Sequence, residues 1–396
     1  MKYRRFGKTE EQIPVISCGG MRYQHKWDDV PLEEVPSANQ ENLKKTIFRS
    51  LDLGINHIET ARDYGTSEMQ LGLVLPQLPR DEILVQTKIP PFANPKDFVN
   101  TFNKSMDYLN LDYVDFLSIH GINNQELLDY SIAPGGCLDA ARKLQNEGRC
   151  KHVGFATHAT TDIIHIALET NGFDYINLHW YFVNDLNKSA IELAHSQDMG
   201  VFIISPNDKG GKLYEPSPKL TDLCSPLTPM QFNDLYCLRD PKIHTLSCGA
   251  AKPTDFDEHV AAVDMLDDAE KLTNPIEKKL REEMEKVLGK DWCEGWWKGL
   301  PNYVDVPNEV NIVEILRLWT YSKALDISGW GKMRYNLLDG AAEHWFPGRK
   351  VPVNNIDSIA PALENSPFKE KLPAILKEAH KLLDDTPMKR LSQSDE

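Results

Sequence analysis

The stretch Gly54-Ile55-Asn56-His57-Ile58-Glu59-Thr60-Ala61-Arg62-Asp63-Tyr64-Gly65, with Ser67-Glu68 just after it, decides how this chain is read. Ile55 to Thr60 has the length and apolar character of a short buried strand. Its end carries an acid, Glu59, and five residues later comes a phenol, Tyr64, before Gly65 turns the chain towards a helical segment. In an α/β barrel the loops after the strands build the active face, so an acid and a phenol there read as chemistry rather than packing.

On either side of that stretch, apolar runs of strand length alternate with helix-length segments. The runs are Val15 to Gly20, Ile55 to Thr60, Ile83 to Lys88, Phe116 to His120, His152 to Thr157, Tyr175 to Trp180, Val201 to Ser205 and Thr245 to Gly249. This alternation predicts a parallel sheet, and eight strands close a (β/α)8 TIM barrel. Residues 2 to 14, turning at Gly7-Lys8, predict a hairpin that caps one end. Glu41 to Leu53 sets Leu43, Ile47 and Leu51 on one helical face, with Gly54 as C-cap; Lys96 to Leu109 does the same with Phe98, Phe102, Met106 and Leu109. Thr254 before Asp255-Phe256-Asp257-Glu258 reads as an N-cap followed by an acidic first turn.

The texture changes near residue 270, so a barrel domain over 1–270 and a mostly α-helical domain over 271–396 are expected. Leu272 to Leu288 reads as a charged helix, and Trp292, Trp296 and Trp297 cluster in sequence. Val310 to Arg317 and Lys371 to Lys377 share an apolar spacing suited to helix packing, and Pro387 to Glu396 reads as a frayed tail.

The composition narrows the function classes. A formal net charge of -15 argues against a nucleic-acid-binding surface and against docking on anionic membrane. Met1 to Lys8 has no apolar core after its basic residues, so it is not read as a signal peptide, and no window approaches the roughly 18 apolar residues of a membrane span. Seven scattered cysteines without a CxxC pair suit a reducing cytoplasm, and the twelve histidines offer no spacing for tetrahedral zinc.

Four residues at the ends of three neighbouring strands make a proton-transfer set: Glu59, Tyr64, Lys88 and His120. A free phenol titrates near pH ~10, too high to be a good acid at neutrality, and an adjacent ammonium lowers that value. Lys88 is placed to do so, with Glu59 holding the ammonium and His120 orienting a substrate carbonyl. Each residue taken alone has a structural alternative, a strand-end ion pair or a satisfied loop histidine. Arg62 and Asp63, beside Tyr64, are candidates for shaping the pocket, with a solvated loop ion pair the favoured expectation.

This constellation resembles the aldo-keto reductase superfamily over about residues 1 to 270, from Tyr3-Arg4-Arg5-Phe6-Gly7-Lys8-Thr9 through Ser118-Ile119-His120 and Val153-Gly154-Phe155. The resemblance implies a (β/α)8 barrel that reduces a small carbonyl substrate with NADPH, with Tyr64 as proton donor beside Lys88 and His120. Glu59 stands where the superfamily has aspartate. The same resemblance implies a cofactor set of Gly20, Met21, Arg22, Thr157, Asn177, Ser205, Asn207, Lys209, Gly249, Lys252, Phe256 and His259. In it Asn177 meets the nicotinamide carboxamide, Lys252 meets the 2′-phosphate, and the loops after strands 7 and 8 hold phosphate. Tyr23, Trp27, Trp180, Tyr181 and Tyr214 are candidates for an aromatic substrate pocket. A barrel that binds NADPH as a sensor or interaction subunit, docking a protein partner through its tail, remains the alternative.

The tail, with Glu314-Ile315-Leu316-Arg317-Leu318, Met333-Arg334-Tyr335-Asn336 and His344-Trp345-Phe346-Pro347-Gly348, is similar to that of the aldo-keto reductases carrying a ferredoxin-like domain, whose barrel motif also contains the Glu of Glu59-Thr60-Ala61-Arg62. Those domains hold [4Fe-4S] clusters through four-cysteine runs. Here the first run keeps Cys293 and has Trp296, Gly299 and Asn302 at its other places; the second falls near Ile356, Ile359, Ala362 and Ser366 with no cysteine. No iron-sulfur cluster is expected, and Trp296 and Trp297 are expected to fill the vacated core.

Overall fold

A computed structural model of the chain describes residues 1–386, so the frayed tail expected over 387–396 lies outside the described residues. The chain divides into two compact units. The first comprises Met1–Pro206 and Asn233–Ala269; the second takes Asn207–Phe232 together with the chain from Glu270.

The first unit is a closed barrel of eight parallel strands: β1 (Ile16–Gly19), β2 (His57–Glu59), β3 (Leu84–Ile89), β4 (Val114–His120), β5 (Cys150–Ala156), β6 (Tyr175–Leu178), β7 (Gly200–Ile203) and β8 (Thr245–Gly249). Each expected apolar run forms one strand, within two or three residues at its ends. Successive residues alternate between barrel interior and helix layer, so the register fixes what points inward. Gln86 donates to Ser118 Oγ at 2.9 Å, and Ser118 Oγ lies 2.9 Å from the Tyr175 hydroxyl, tying β3, β4 and β6 across the interior. A Cβ at Gly154 would lie 2.6 Å from the Tyr175 ring, so only glycine lets that ring cross the barrel.

The antiparallel hairpin Tyr3–Arg5 with Gln12–Pro14 delivers Phe6 and Ile13 into a buried cluster with Leu84, Phe116, Tyr175 and Phe202. The strand starts are thereby plugged with apolar bulk. Around the barrel, the helix Ser37–Asp52 has Leu53 as its C-cap, and the expected glycine follows it: Gly54, at φ 77°, turns the chain. Asn94 caps the helix Pro95–Leu109 by accepting from Lys96 N at 3.2 Å. The expected cap at Thr254 is corrected: Pro253 opens a short 3-10 turn, Pro253–Phe256, with Thr254 inside it, and the α-helix runs from Asp257 to Asp264. A proline suits a first helical position, which moves the start ahead of the threonine.

In the second unit the helices Ile312–Leu325, Ser328–Tyr335 and Leu372–Leu383 pack together with the segment 207–232. That segment belongs here because Trp330 Nε1 donates to Lys209 O at 3.0 Å, Ser217 Oγ to Leu325 O at 3.3 Å, and Lys219 pairs with Glu283 at 2.8 Å. Trp292 anchors an aromatic core with Trp319 and Phe368, at centroid distances of 5.3 and 5.1 Å, and donates to Thr320 Oγ1 at 3.0 Å. Trp296 is buried, whereas Trp297 is 41% exposed. The expectation that Trp297 fills this core is therefore corrected; Trp292 does so. Gly299, at φ 70°, approaches Asn365 so closely that a Cβ would lie 2.0 Å from its carbonyl oxygen, and Ile356, Ile359 and Ser366 are buried. Among the described residues no group of three or more His, Cys, Asp and Glu is placed to hold a metal, and no helix is long and apolar enough to cross a membrane.

Candidate active site

Glu59 closes β2, Lys88 lies one residue from the end of β3, and His120 closes β4, so three adjacent strands present three ionisable groups at the same end of the barrel. Lys88, 1% exposed, forms an ion pair with Glu59 and donates to Thr60 O at 2.8 Å. Its ammonium lies 3.4 Å from the Tyr64 hydroxyl and 4.8 Å from the centre of that ring. The second oxygen of Glu59 accepts from Ser247 Oγ at 2.8 Å, which ties the acid to β8. His120 meets the Tyr64 ring edge to face at 5.7 Å, and its Nδ1 lies 3.1 Å from Asp63 Oδ2.

The loop carrying Tyr64 is held by a second charge cluster. Gly65 takes φ 52° where a Cβ would fall 1.9 Å from Lys26 O, so the turn requires glycine. Arg62 bonds Glu68 at 2.5 Å and Gly65 O at 3.3 Å, and also pairs with Asp29. Glu68, fully buried, further accepts from Thr87 at 2.5 Å and from Ser105 at 2.9 Å. The expected Arg62–Asp63 surface pair is thus corrected. Arg62 turns inward to a buried carboxylate, and Asp63 faces His120. Ser247 and Asp63 carried no motif of their own; strand alternation places Ser247 two residues before Gly249, on the inward face.

Burial dominates the protonation equilibria. It raises the Tyr64 phenol well above its ordinary value, with the Glu59 and Asp63 charges adding to the rise. The same burial lowers the Lys88 ammonium, against the pull of Glu59. This is opposite to the expectation that Lys88 lowers Tyr64, because desolvation and two carboxylates outweigh one ammonium already neutralised by its partner. The phenol therefore holds its proton at neutral pH. Burial also lowers His120, partly offset by Asp63.

The model of the aldo/keto reductase family matches residues 15–273. The chain belongs to the aldo/keto reductase family. L-galactose dehydrogenase of Arabidopsis thaliana is 26% identical over 301 residues, covering 67% of this chain and 89% of that protein. A Schizosaccharomyces pombe protein, provisionally named a voltage-gated potassium channel subunit beta, is 24% identical over 336 residues, 71% of this chain and 92% of its own length. Among solved structures, the holo form of an aldo-keto reductase from Bacillus halodurans superposes with a TM-score of 0.59 at 19% identity, over 70% of this chain and 96% of that one. An aldo-keto reductase from Klebsiella pneumoniae, solved in complex with NADPH, gives 0.55 at 19% identity, over 69% and 95%.

Within this aldo/keto reductase barrel the expected cofactor residues separate into distinct groups. Asn177, inward on β6 and fully buried, has both carboxamide atoms without a hydrogen-bond partner in the structure, a buried polar pair that fits an amide ligand. Gly20 donates its amide to Glu59 O at 2.8 Å, Met21 follows it, and Arg22 reaches Gly249 O at 2.6 Å and Asp255 at 3.4 Å, joining the loops after β1 and β8. Lys252 is exposed immediately before Pro253, where a helix start accepts anions. Ser205 takes φ 52° just past β7. Three others are engaged internally. Thr157 gives its hydroxyl to Ile122 O at 2.7 Å, Phe256 is wholly buried, and His259 is buried against Asp234 at 2.5 Å. Asn207 and Lys209 belong to the second unit, where Asn207 donates to the Tyr214 hydroxyl at 2.8 Å. Of the aromatic candidates, Tyr23, Trp180 and Tyr181 are packing residues rather than pocket walls. Tyr23 is wholly buried, Trp180 stacks on Tyr236 at 5.2 Å, and Tyr181 donates to Ile204 O at 2.8 Å.

Proposed function

We propose that this chain reduces an aldehyde or ketone to an alcohol with NADPH, using Tyr64 as general acid, Lys88 and Glu59 as its electrostatic support, and His120 to orient the substrate oxygen. The observation that carries the reading is the Tyr64 hydroxyl 3.4 Å from an ammonium whose charge is fixed by Glu59. NADPH would be held by Asn177 at its carboxamide and by Arg22, Gly249 and Lys252 near its phosphates, and would supply hydride to the carbonyl carbon. Tyr64 gives its proton to the carbonyl oxygen, and Lys88 stabilises the phenolate left behind. Because the raised phenol is fully protonated at neutrality, proton transfer waits for negative charge to build on the carbonyl oxygen, and Lys88 then contributes most where charge develops. Ser247 and Thr60 keep Glu59 and Lys88 in place through that change.

Support comes from family membership over residues 15–273, from the NADPH in the Klebsiella pneumoniae relative, and from a curated relative named a dehydrogenase. In this reading the second unit is a ferredoxin-like domain that has lost its clusters, with aromatic side chains in their stead. The similarity to a provisionally named channel subunit favours a second reading, an NADPH-binding interaction subunit with little turnover. NADPH oxidation against a panel of aldehydes and ketones, with wild type beside Tyr64→Phe, separates them. The reductase reading expects turnover that falls about 10²- to 10⁴-fold in the variant. NADPH binding without turnover in either protein favours the interaction subunit.

A further inference from the structure

We propose that the second unit binds a small hydroxylated organic anion, a sugar acid or a sugar phosphate, in a cavity where Arg349 takes the anionic group and Asp339 and Asp384 accept its hydroxyls. The site uses none of the barrel's chemistry.

A cavity of about 440 Å³ lies between the turn at Asn308, the run from Arg349 to Pro352 and the end of the helix Leu372–Leu383. Small-molecule sites occupy about 300–1,000 Å³, whereas a lone ion would leave most of this space to water at about 30 Å³ a molecule. Val310, Val351 and Pro352 give the cavity an apolar side. Its polar side is already organised. Lys350 Nζ donates to Asp384 Oδ1 at 2.7 Å and to Asn336 Oδ1 at 2.8 Å. His380 has Nδ1 2.7 Å from the Tyr335 hydroxyl and Nε2 3.6 Å from Asp384 Oδ2.

Arg349 is the exception. Its N–H donates to Glu309 O at 2.9 Å and its carbonyl accepts from Asn311 N at 3.1 Å, so the backbone is pinned to the cavity wall on both sides. Among the described residues it is the arginine whose guanidinium makes no hydrogen bond, ion pair or ring contact. A planar fork with its donors unspent fits a carboxylate or phosphate through two parallel N–H bonds.

The acids define the rest of the ligand. Asp339 Oδ1 accepts from the Lys350 N–H at 2.9 Å, which leaves its second oxygen for a donor, and Asp384 keeps lone pairs beyond the one that Lys350 meets. An ammonium at Asp384 would face the like charge of Lys350, whereas a hydroxyl donates without adding charge. The wall that sets these groups is held by backbone. Asn308, Glu309 and Asp339 take φ of 60°, 56° and 63°, left-handed values that side-chain-bearing residues keep where the surrounding structure imposes them.

The test is isothermal titration calorimetry on full-length protein with NADPH present, in phosphate-free buffer of low ionic strength. The probes are D-gluconate, D-glucitol 6-phosphate and, as the uncharged control, D-glucitol; none carries a carbonyl for the barrel to reduce. At least one charged probe is expected to bind, the tighter of the two naming the anion, with glucitol about tenfold weaker or more. Arg349→Gln should weaken the charged probe about tenfold, and Arg349→Lys should recover part of that by restoring charge without the fork. Asp339→Asn, which suits the left-handed backbone, should weaken the charged probe about threefold to tenfold and leave inorganic phosphate unchanged. Arg349 is exposed, so its variants should keep the wild-type urea midpoint. Failure of both charged probes to bind below about 10 mM overturns the proposal. So does binding that persists undiminished in Arg349→Gln, and so does glucitol binding as tightly as the charged probes.

Discussion

The strand ends of the barrel and the core of the helical unit bury their difficult groups in opposite ways. The barrel buries ions: Lys88 with Glu59, Arg62 with Glu68, His259 with Asp234, the first two pairs backed by hydroxyls or a backbone carbonyl. The helical unit also buries an ion pair, Arg317 with Glu314, but around Trp292 it buries indoles, with one indole N–H satisfied by Thr320. An ion pair in a dry interior contributes little net stability and much geometry, since desolvation offsets most of its attraction. Packed aromatics contribute the reverse. Substitutions in the two regions should therefore differ in kind as well as size.

The largest effect is expected at Lys88. Lys88→Met leaves Glu59 charged and buried without its cation, which costs about 3–5 kcal/mol. Urea denaturation should register that loss together with the disappearance of carbonyl turnover. Adding Glu59→Gln to Lys88→Met should return most of the stability and none of the turnover. If both return, the pair is only structural and the contrast with the aromatic core collapses.

Trp292→Ala comes next. Removing an indole enclosed by Trp319 and Phe368 should cost about 3–4 kcal/mol of unfolding free energy in the second unit. The turnover of each folded molecule should be unchanged, which active-site titration alongside kinetics would check. A fall in kcat per folded molecule would mean that the aromatic core supports the chemistry, and the division between the regions would have to be redrawn.

Much of this arrangement was legible in the sequence, and the reason differs by element. Eight apolar runs between helical segments suffice for a barrel because strand periodicity and burial are local properties. Glu59, Tyr64, Lys88 and His120 were legible because strand ends in a barrel converge, so their positions along the chain imply proximity. What escaped were the partners that depend on three-dimensional closure. Ser247 reaches Glu59 from the last strand, 188 residues away, and Arg62 chooses Glu68 over its neighbour Asp63 because the turn at Gly65 points it inward. The direction of the Tyr64 shift escaped for a related reason. Sequence reveals which charges are near, but desolvation depends on how completely the surrounding loops close. Trp296 and Trp297 are adjacent in sequence, yet one is buried and the other exposed, and no periodicity over two residues distinguishes them.

The smallest effect expected is a pH slope that separates the barrel's histidines by the way each is buried. His57 is lowered to about 3 and His244 to about 4, chiefly by burial. For His259 burial is also the largest influence, but Asp234 and Cys248 together, through charge and hydrogen bonding, outweigh it and hold the ring well above its ordinary value. For the two lowered rings the unfolded chain binds more protons below the unfolded value of ~6.5, so their contribution is present above that pH and is lost as pH falls towards 4 and 3. For His259 the sign reverses: the folded chain holds the proton more tightly, so its contribution is complete below ~6.5 and is lost as pH rises through the folded value. Unfolding free energy should therefore peak near pH ~6.5 and fall on the alkaline side by at most about 1.4 kcal/mol per pH unit, before the thiols begin to titrate. Replacing the pair together, Asp234→Asn with His259→Gln, should flatten that alkaline limb between pH ~6.5 and ~8 and leave the acid limb as it was. An alkaline limb that survives the double substitution would show that the Asp234–His259 pair is not where the barrel stores its proton.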